Sequence, residues 1–265
     1  MLKPLALAVL LAAGQPAIAA TWSYGFSGSL GDHFDQLMDT PDPSTAFQEN
    51  GMLSFHTSGN ALAAVDELFV YHDFLPTYQQ SWSAQMQVTV PASLDSQTRT
   101  GDDSFYVAAS LIAFTRDING NLDKAMSIDL ESSPPNGHVY WTGWSTIGVE
   151  NDDVMAYQPT SDVTGIIELH FDAATKVLSA HNAYGQLLSV DIDAPTSNWG
   201  LSGNAPIYLA IGFDSEGMSV AQNEALSIDN FSVTLQPVPE PETYALMLAG
   251  LGLVGFAARR GQQCN

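Results

Sequence analysis

The sequence predicts an all-β domain, a single β-sandwich or jelly roll, set between two targeting segments. Three observations carry that expectation. Apolar and polar residues alternate with a period of two through the middle of the chain, turn residues interrupt them at short intervals, and long helical periodicity is absent.

The strands follow in order. Gly51-Met52-Leu53-Ser54-Phe55-His56 alternates and begins at a turn glycine. Ser81 to Val90 places Trp82, Ala84, Met86, Val88 and Val90 on one face, and Pro91 ends it because proline cannot continue a hydrogen-bonded ladder. Phe105 to Thr115 is apolar on both faces, as a central strand of a sandwich would be. It leads through Asn119-Gly120, the strongest short-range hairpin signal, into Lys124 to Glu131. Further strands are expected at Val139 to Trp144, Gly165 to Phe171, Lys176 to Ala180, Gln186 to Ile192, Ile207 to Phe213 and Leu226 to Leu235. Asp172-Ala173-Ala174-Thr175 supplies a tight turn. No repeat or linker divides residues 21–236, which is enough chain for one sizeable core.

Each end reads as an address. Lys3 is followed by the apolar run Leu5 to Ala13, a break at Gln15-Pro16 and the small-x-small pattern Ala17-Ile18-Ala19. That arrangement predicts a secretory signal peptide over 1–20, too short in its apolar part to span a bilayer. At the other end Pro237-Val238-Pro239-Glu240-Pro241 forms a stiff spacer, since each proline fixes φ and removes a donor. Thr243 to Ala258 carries no charge and is followed by Arg259-Arg260. As a helix the uncharged run would be roughly 24 Å long, a marginal span with the arginines on the cytoplasmic side.

These C-terminal residues, Val238-Pro239-Glu240-Pro241 through Leu253 and then Arg259-Arg260, closely resemble a PEP-CTERM sorting signal occupying 237–265. The resemblance implies an exported protein held transiently in the inner membrane through 243–258. It further implies recognition by an exosortase through Pro239, Glu240, Pro241, Arg259 and Arg260, then release to the cell surface or extracellular polysaccharide matrix. Gly261 to Asn265 extends beyond the usual end of such signals.

Charge narrows the partners. Between Thr21 and Gln236 four bases face 27 acids, a net of −23, and no cysteine is present because the only one is Cys264. Such a surface repels nucleic acid, whose binding needs Lys and Arg to displace counterions. An exported domain without disulfides is held by packing or by metal ions.

Several catalytic layouts are missing. There is no His-Glu-x-x-His and no Gly-x-Ser-x-Gly, because Ile147 stands where Gly143-Trp144-Ser145 would need its second glycine. The Gly51-x-Leu53-x-Phe55 strand, the Trp82 strand closed by Pro91 and the closing Ile228-Asp229-Asn230-Phe231-Ser232-Val233 strand together resemble a concanavalin-A-like lectin or glucanase sandwich. Retaining glucanases of that fold carry Glu-x-Asp-x-Glu on one strand, all three carboxylates pointing into the cleft. Here Asp129 and Glu131 match, but Ser127 occupies the nucleophile position. The double displacement loses its first carboxylate, so hydrolysis is not expected and the pair reads as the polar outer face of a strand. A divergent glycoside hydrolase acting on exopolysaccharide from Asp129 and Glu131 is the alternative.

Tyr140 and Trp144, after Pro134-Pro135-Asn136-Gly137, are the expected sugar-stacking platform, with Trp141 on the opposite face in the core. For metal, Asp117, Asn119, Asn121 and Asp123 sit at alternate positions. They lack the glycine and the bidentate Glu of an EF-hand loop, so a hairpin turn is expected there. The resemblance to jelly-roll carbohydrate-binding modules points instead to a structural calcium near Asp229. The function expected is a non-catalytic, polysaccharide-associated sandwich without a required cofactor, calcium aside.

Overall fold

The computed structural model describes residues 19–39, 44–57, 65–91, 106–133, 138–146, 153–216, 226–236, 249 and 251. Fifteen strands follow one another among these residues: β1 (Ala20–Tyr24), β2 (Phe34–Asp39), β3 (Ser44–Glu49), β4 (Met52–Thr57), β5 (Val65–Tyr71), β6 (Trp82–Thr89), β7 (Tyr106–Arg116), β8 (Leu122–Ser133), β9 (His138–Thr146), β10 (Asp153–Thr160), β11 (Thr164–Asp172), β12 (Val177–Asn182), β13 (Gly185–Asp191), β14 (Tyr208–Glu216) and β15 (Ser227–Leu235). They make two sheets, one ordered β13-β12-β11-β6-β15-β4-β3 with β1 beside β15, the other ordered β10-β9-β8-β7-β14-β5-β2. Residues 21–235 form one compact unit, distinct from 1–20 and 236–265.

The alternation of β6 is realised side chain by side chain. Trp82, Ala84, Met86 and Val88 are fully buried while Gln85 is exposed. The strand lies between β11 and β15, so its inner face meets the second sheet and its outer face meets water. Strand β7 is apolar on both faces because it is central, between β8 and β14. Val107, Ala109, Leu111 and Ala113 enter the main core, whereas Phe114 belongs to a second apolar cluster with Leu68, Val70, Ala125 and Ala210.

The hairpin turn between β7 and β8 forms where Asn119-Gly120 places it. Gly120 takes φ +88°, a left-handed conformation that glycine adopts without steric cost. Asp117 Oδ1 accepts the backbone N–H groups of Asn119 and Asn121 at 2.8 and 2.9 Å. Those bonds, the one from Asn121 first, hold the Asp117 carboxyl below its usual range. The turn after β11 also forms, but Lys176 stands in it at φ +60° with its N–H on the Asp172 carbonyl, and β12 begins one residue later than expected.

Between the sheets Trp141 is fully buried, as expected. Its ring sits where a Cβ on Gly165 would lie, 2.5 Å from Cη2, so only glycine permits this approach of β9 and β11. Strands β1, β2, β3, β5 and β10 had no counterpart among the expected strands.

Candidate functional site

Register across the seven-stranded sheet decides which side chains share its outer face. One row runs Asp214, Ala108, Glu131, Tyr140 across β14, β7, β8 and β9. The next runs Leu68, Gly212, Ser110, Asp129, Thr142, Tyr157 from β5 to β10. A third runs Val70, Ala210, Ile112, Ser127, Trp144, Met155. The central positions are small (Gly212, Ser110, Ala108, Thr142), and the larger Leu68, Tyr106, Trp144 and Tyr157 stand toward the margins. The result is a cleft of about 620 Å³ lined by all three residues at 127, 129 and 131.

Asp129 and Glu131 lie on the outer face of their strand, as expected, but that face is hollow there. The neighbouring strands contribute short side chains, so the two carboxyl groups are drawn below the surrounding surface. Asp129 is the anchored member. Ser127 Oγ donates to its Oδ2 at 2.9 Å and Thr142 Oγ1 donates to the same oxygen at 3.3 Å, with Ser110 adding a third hydroxyl. Burial nevertheless outweighs those bonds and pushes Asp129 up to about 6. Glu131 is pushed up to about 7, by burial first and by the negative charge of Asp129 second. At the same end of the cleft Tyr106 donates its hydroxyl proton to Asp214 Oδ2.

The two aromatic residues expected as a platform are separated by the structure. Trp144 lines the cleft, half-buried against the apolar cluster of Leu68, Val70 and Phe114. Tyr140 is half-buried beside Glu131 on the same face and lies outside the cleft lining. The exposed ring is Tyr157, 62 % accessible, whose hydroxyl donates to Met155 Sδ at 3.2 Å. Tyr157, Tyr106, Ser110 and Asp214 escaped the sequence reading. Each belongs to a strand other than the one bearing Asp129, and no local motif marks them.

Asp229 sits at a β-bulge of β15 where Asn230 takes φ +52°. Its carboxylate is engaged by the next residue, accepting from the Asn230 N–H at 2.7 Å and from Nδ2 at 2.9 Å. Among the described residues no group of three or more His, Cys, Asp or Glu side chains is placed to hold a metal ion. The sorting residues Pro239, Glu240, Pro241, Arg259 and Arg260 lie outside the described residues, as do residues 1–18, where a signal peptide is expected, and nearly all of 243–258. Among the described residues no helix is long and apolar enough to cross a membrane.

Comparison with known proteins agrees with the fold. An endo-1,3-β-glucanase from Streptomyces sioyaensis superposes with a TM-score of 0.54 at 11 % identity, covering 85 % of this chain and 99 % of that one. The CBM2 module of the evolved Dit of Lactobacillus casei BL23 phage J-1 gives 0.51 at 9 % identity, over 83 % and 97 %. A lectin from Bauhinia forficata, solved with GalNAc, gives 0.47 at 14 % identity, over 83 % and 99 %. The first two superpositions show the fold, a sandwich of the concanavalin-A-like kind. No curated protein matches the chain. Residues 237–261 match the PEP-CTERM protein-sorting motif, so the chain ends in the sorting signal that its Pro-Glu-Pro spacer and basic end resemble, and that signal marks it for export.

Proposed function

We propose that the domain is an exported, non-catalytic glycan-binding sandwich whose binding surface is the cleft on the outer face of the seven-stranded sheet. The observation that carries this reading is the pairing of aromatic walls, Trp144 and the exposed Tyr157, with carboxyl groups set in a floor of small hydroxyl residues. Aromatic rings stack on the apolar faces of sugars while a few fixed polar groups orient the hydroxyls. Ser127 in the cleft, a hydroxyl that spends its proton on Asp129, is no nucleophile for a double displacement. In this reading 1–20 is a signal peptide, and an exosortase acts at 239–241 to release the protein to the surface or the extracellular polysaccharide matrix.

The test is retention of the exported protein on the polysaccharide of its own host. Replacing Trp144 and Tyr157 together by alanine should abolish retention and leave the circular dichroism spectrum unchanged. Unaltered retention of the double variant would move the binding surface elsewhere.

One observation favours the hydrolase alternative. Glu131, raised to about 7, holds a proton near neutral pH as a general acid must. Release of reducing sugar by the wild-type protein, lost in Glu131→Gln, would establish that alternative and end the non-catalytic reading.

A further inference from the structure

The lining of the cleft narrows the chemistry of a glycan that could bind there. Its charged side chains among the described residues are Asp129, Glu131 and Asp214. The described bases are occupied elsewhere. Arg116 lies over the Tyr208 ring at 4.7 Å and donates to the Gly120 carbonyl. Lys124 pairs with Asp123, and Lys176 donates to the Tyr78 carbonyl at 2.9 Å. A uronic or sulfated sugar entering the cleft would meet three carboxyl groups and no counter-charge among these residues.

The three acids differ in what they still lack. Asp129 has its three hydroxyl donors and Asp214 has Tyr106. Glu131 accepts no hydrogen bond and meets no cation among the described residues, although it is half-buried and lines the cleft. It is separated from Asp214 only by Ala108, two ladder spacings or about 10 Å of backbone with a single methyl between them. Tyr157 shares a row with Asp129, two strands away, and that row is the one next to Glu131's.

Resting on the cleft reading, we infer that the site selects a saccharide with a free amino group, its ammonium donating to Glu131 and its ring stacking toward Tyr157. The ammonium supplies the donor and the positive charge that Glu131 lacks, in a charge-assisted hydrogen bond stronger than a neutral one. Acetylation of the amine removes that charge while keeping the sugar ring. A compact ammonium also fits better than a metal ion, because the three carboxyl groups do not form a metal-holding set.

The experiment titrates the full exported protein with four oligosaccharides of equal length: a free-amine glucosamine oligomer, its N-acetylated form, a neutral glucose oligomer and a uronic acid oligomer. The free-amine oligomer should bind roughly tenfold to a hundredfold more tightly than the neutral one, as a hydrogen bond to a charged group warrants, and the uronic oligomer most weakly. Glu131→Gln should abolish the preference, so that the variant binds the free-amine and neutral oligomers with equal affinity. The wild type gives an independent readout. At about pH 5.5, where the amine is already fully charged and burial keeps Glu131 protonated, binding the ammonium there releases the carboxyl proton to the buffer, and the calorimetric heat should vary with the buffer's ionisation enthalpy. Equal affinity for the amine and neutral oligomers, preference for the uronic oligomer, or a buffer-independent heat would overturn the inference and leave glycan binding in place. No binding of any of the four, nor of host polysaccharide, would overturn the cleft reading as well.

Discussion

The two outer faces of the sandwich are built from the same alternating pattern and end as different surfaces. On the eight-stranded sheet the outward-facing rows run Thr234, Ser83, His170, Ser179, Ser189 and Ser232, Gln85, Glu168, His181, Gln186. Most of these side chains are short to medium polar groups, and they bond to one another across the face, as between Ser179 Oγ and His181 Nε2 at 2.8 Å. On the seven-stranded sheet the rows mix alanine, glycine and serine with tyrosine, tryptophan and leucine, and a cleft opens where the small residues align. Alternation fixes which residues face water. Their sizes along each cross-strand row fix whether that face is flat or hollow.

The largest effect belongs to a residue beneath both faces. Trp141 lies fully buried between the sheets, next to Thr142 of the cleft floor and against Gly165 of the opposite sheet. Trp141→Ala should lower unfolding free energy by about 3–5 kcal/mol in urea denaturation. Gly165→Ala should cost about 1–3 kcal/mol through overpacking against that ring. If both variants unfolded at the wild-type midpoint, the two faces would not share a core of this geometry.

The next effect separates the faces by pH. Burial raises Glu131 from its ordinary 4.5 to about 7, so the folded state holds a proton that the unfolded chain gives up. Stability is then lost as pH rises from about 4.5 to about 7, and Asp129, raised to about 6, adds to the same slope. Glu131→Gln should flatten that limb and stabilise the protein at pH 8 by on the order of 2–3 kcal/mol. On the flat face His181 is lowered by burial first and by His170 second, which costs stability in the opposite direction, as pH falls through the imidazole's ordinary 6.5. His181→Gln should lessen the acid limb alone. Thermal midpoints measured from pH 4 to 8 separate the two, and identical pH profiles for wild type and Glu131→Gln would remove the carboxyl pair as a buried feature.

The same contrast explains what could be read from the sequence. Strands β6, β7, β8 and β15 were legible because each carries an unbroken pattern, alternating or apolar on both faces. Strand β5 was not. It begins Val65-Asp66-Glu67, and Glu67 is 3 % accessible, pointing inward where its Oε2 accepts the Ala46 N–H of the other sheet at 3.1 Å. A charged residue at a core position breaks the alternation that would reveal the strand. Strand β10 was hidden by Pro159, which demotes a central strand but is tolerated here because β10 is an edge. For the site, Asp129 and Glu131 were visible as a near-match on one strand. Tyr106, Asp214 and Tyr157 join them only through the order β10-β9-β8-β7-β14, which brings together residues far apart in sequence, 108 positions in the Tyr106–Asp214 bond.

The smallest expected effect is the sharpest check on the comparison. If the flat face is a solvated surface and the cleft is the glycan site, Gln85→Ala and Glu168→Ala should leave both stability and glycan retention almost unchanged. Gln85 is exposed on β6 and pairs across the ladder with half-buried Glu168 on β11, neither of them reaching the core. Surface substitutions away from caps, cavities and buried networks stay within about 0.5 kcal/mol. Glu168 is the more demanding of the two because its charge acts on His181 across the ladder, favouring the protonated imidazole. Removing it should lower the His181 pKa further, visible in the imidazole proton resonances, without touching retention. Weaker retention in either variant, with an unchanged urea midpoint, would show that the eight-stranded face contributes to binding and that hollowness is not what distinguishes the two surfaces.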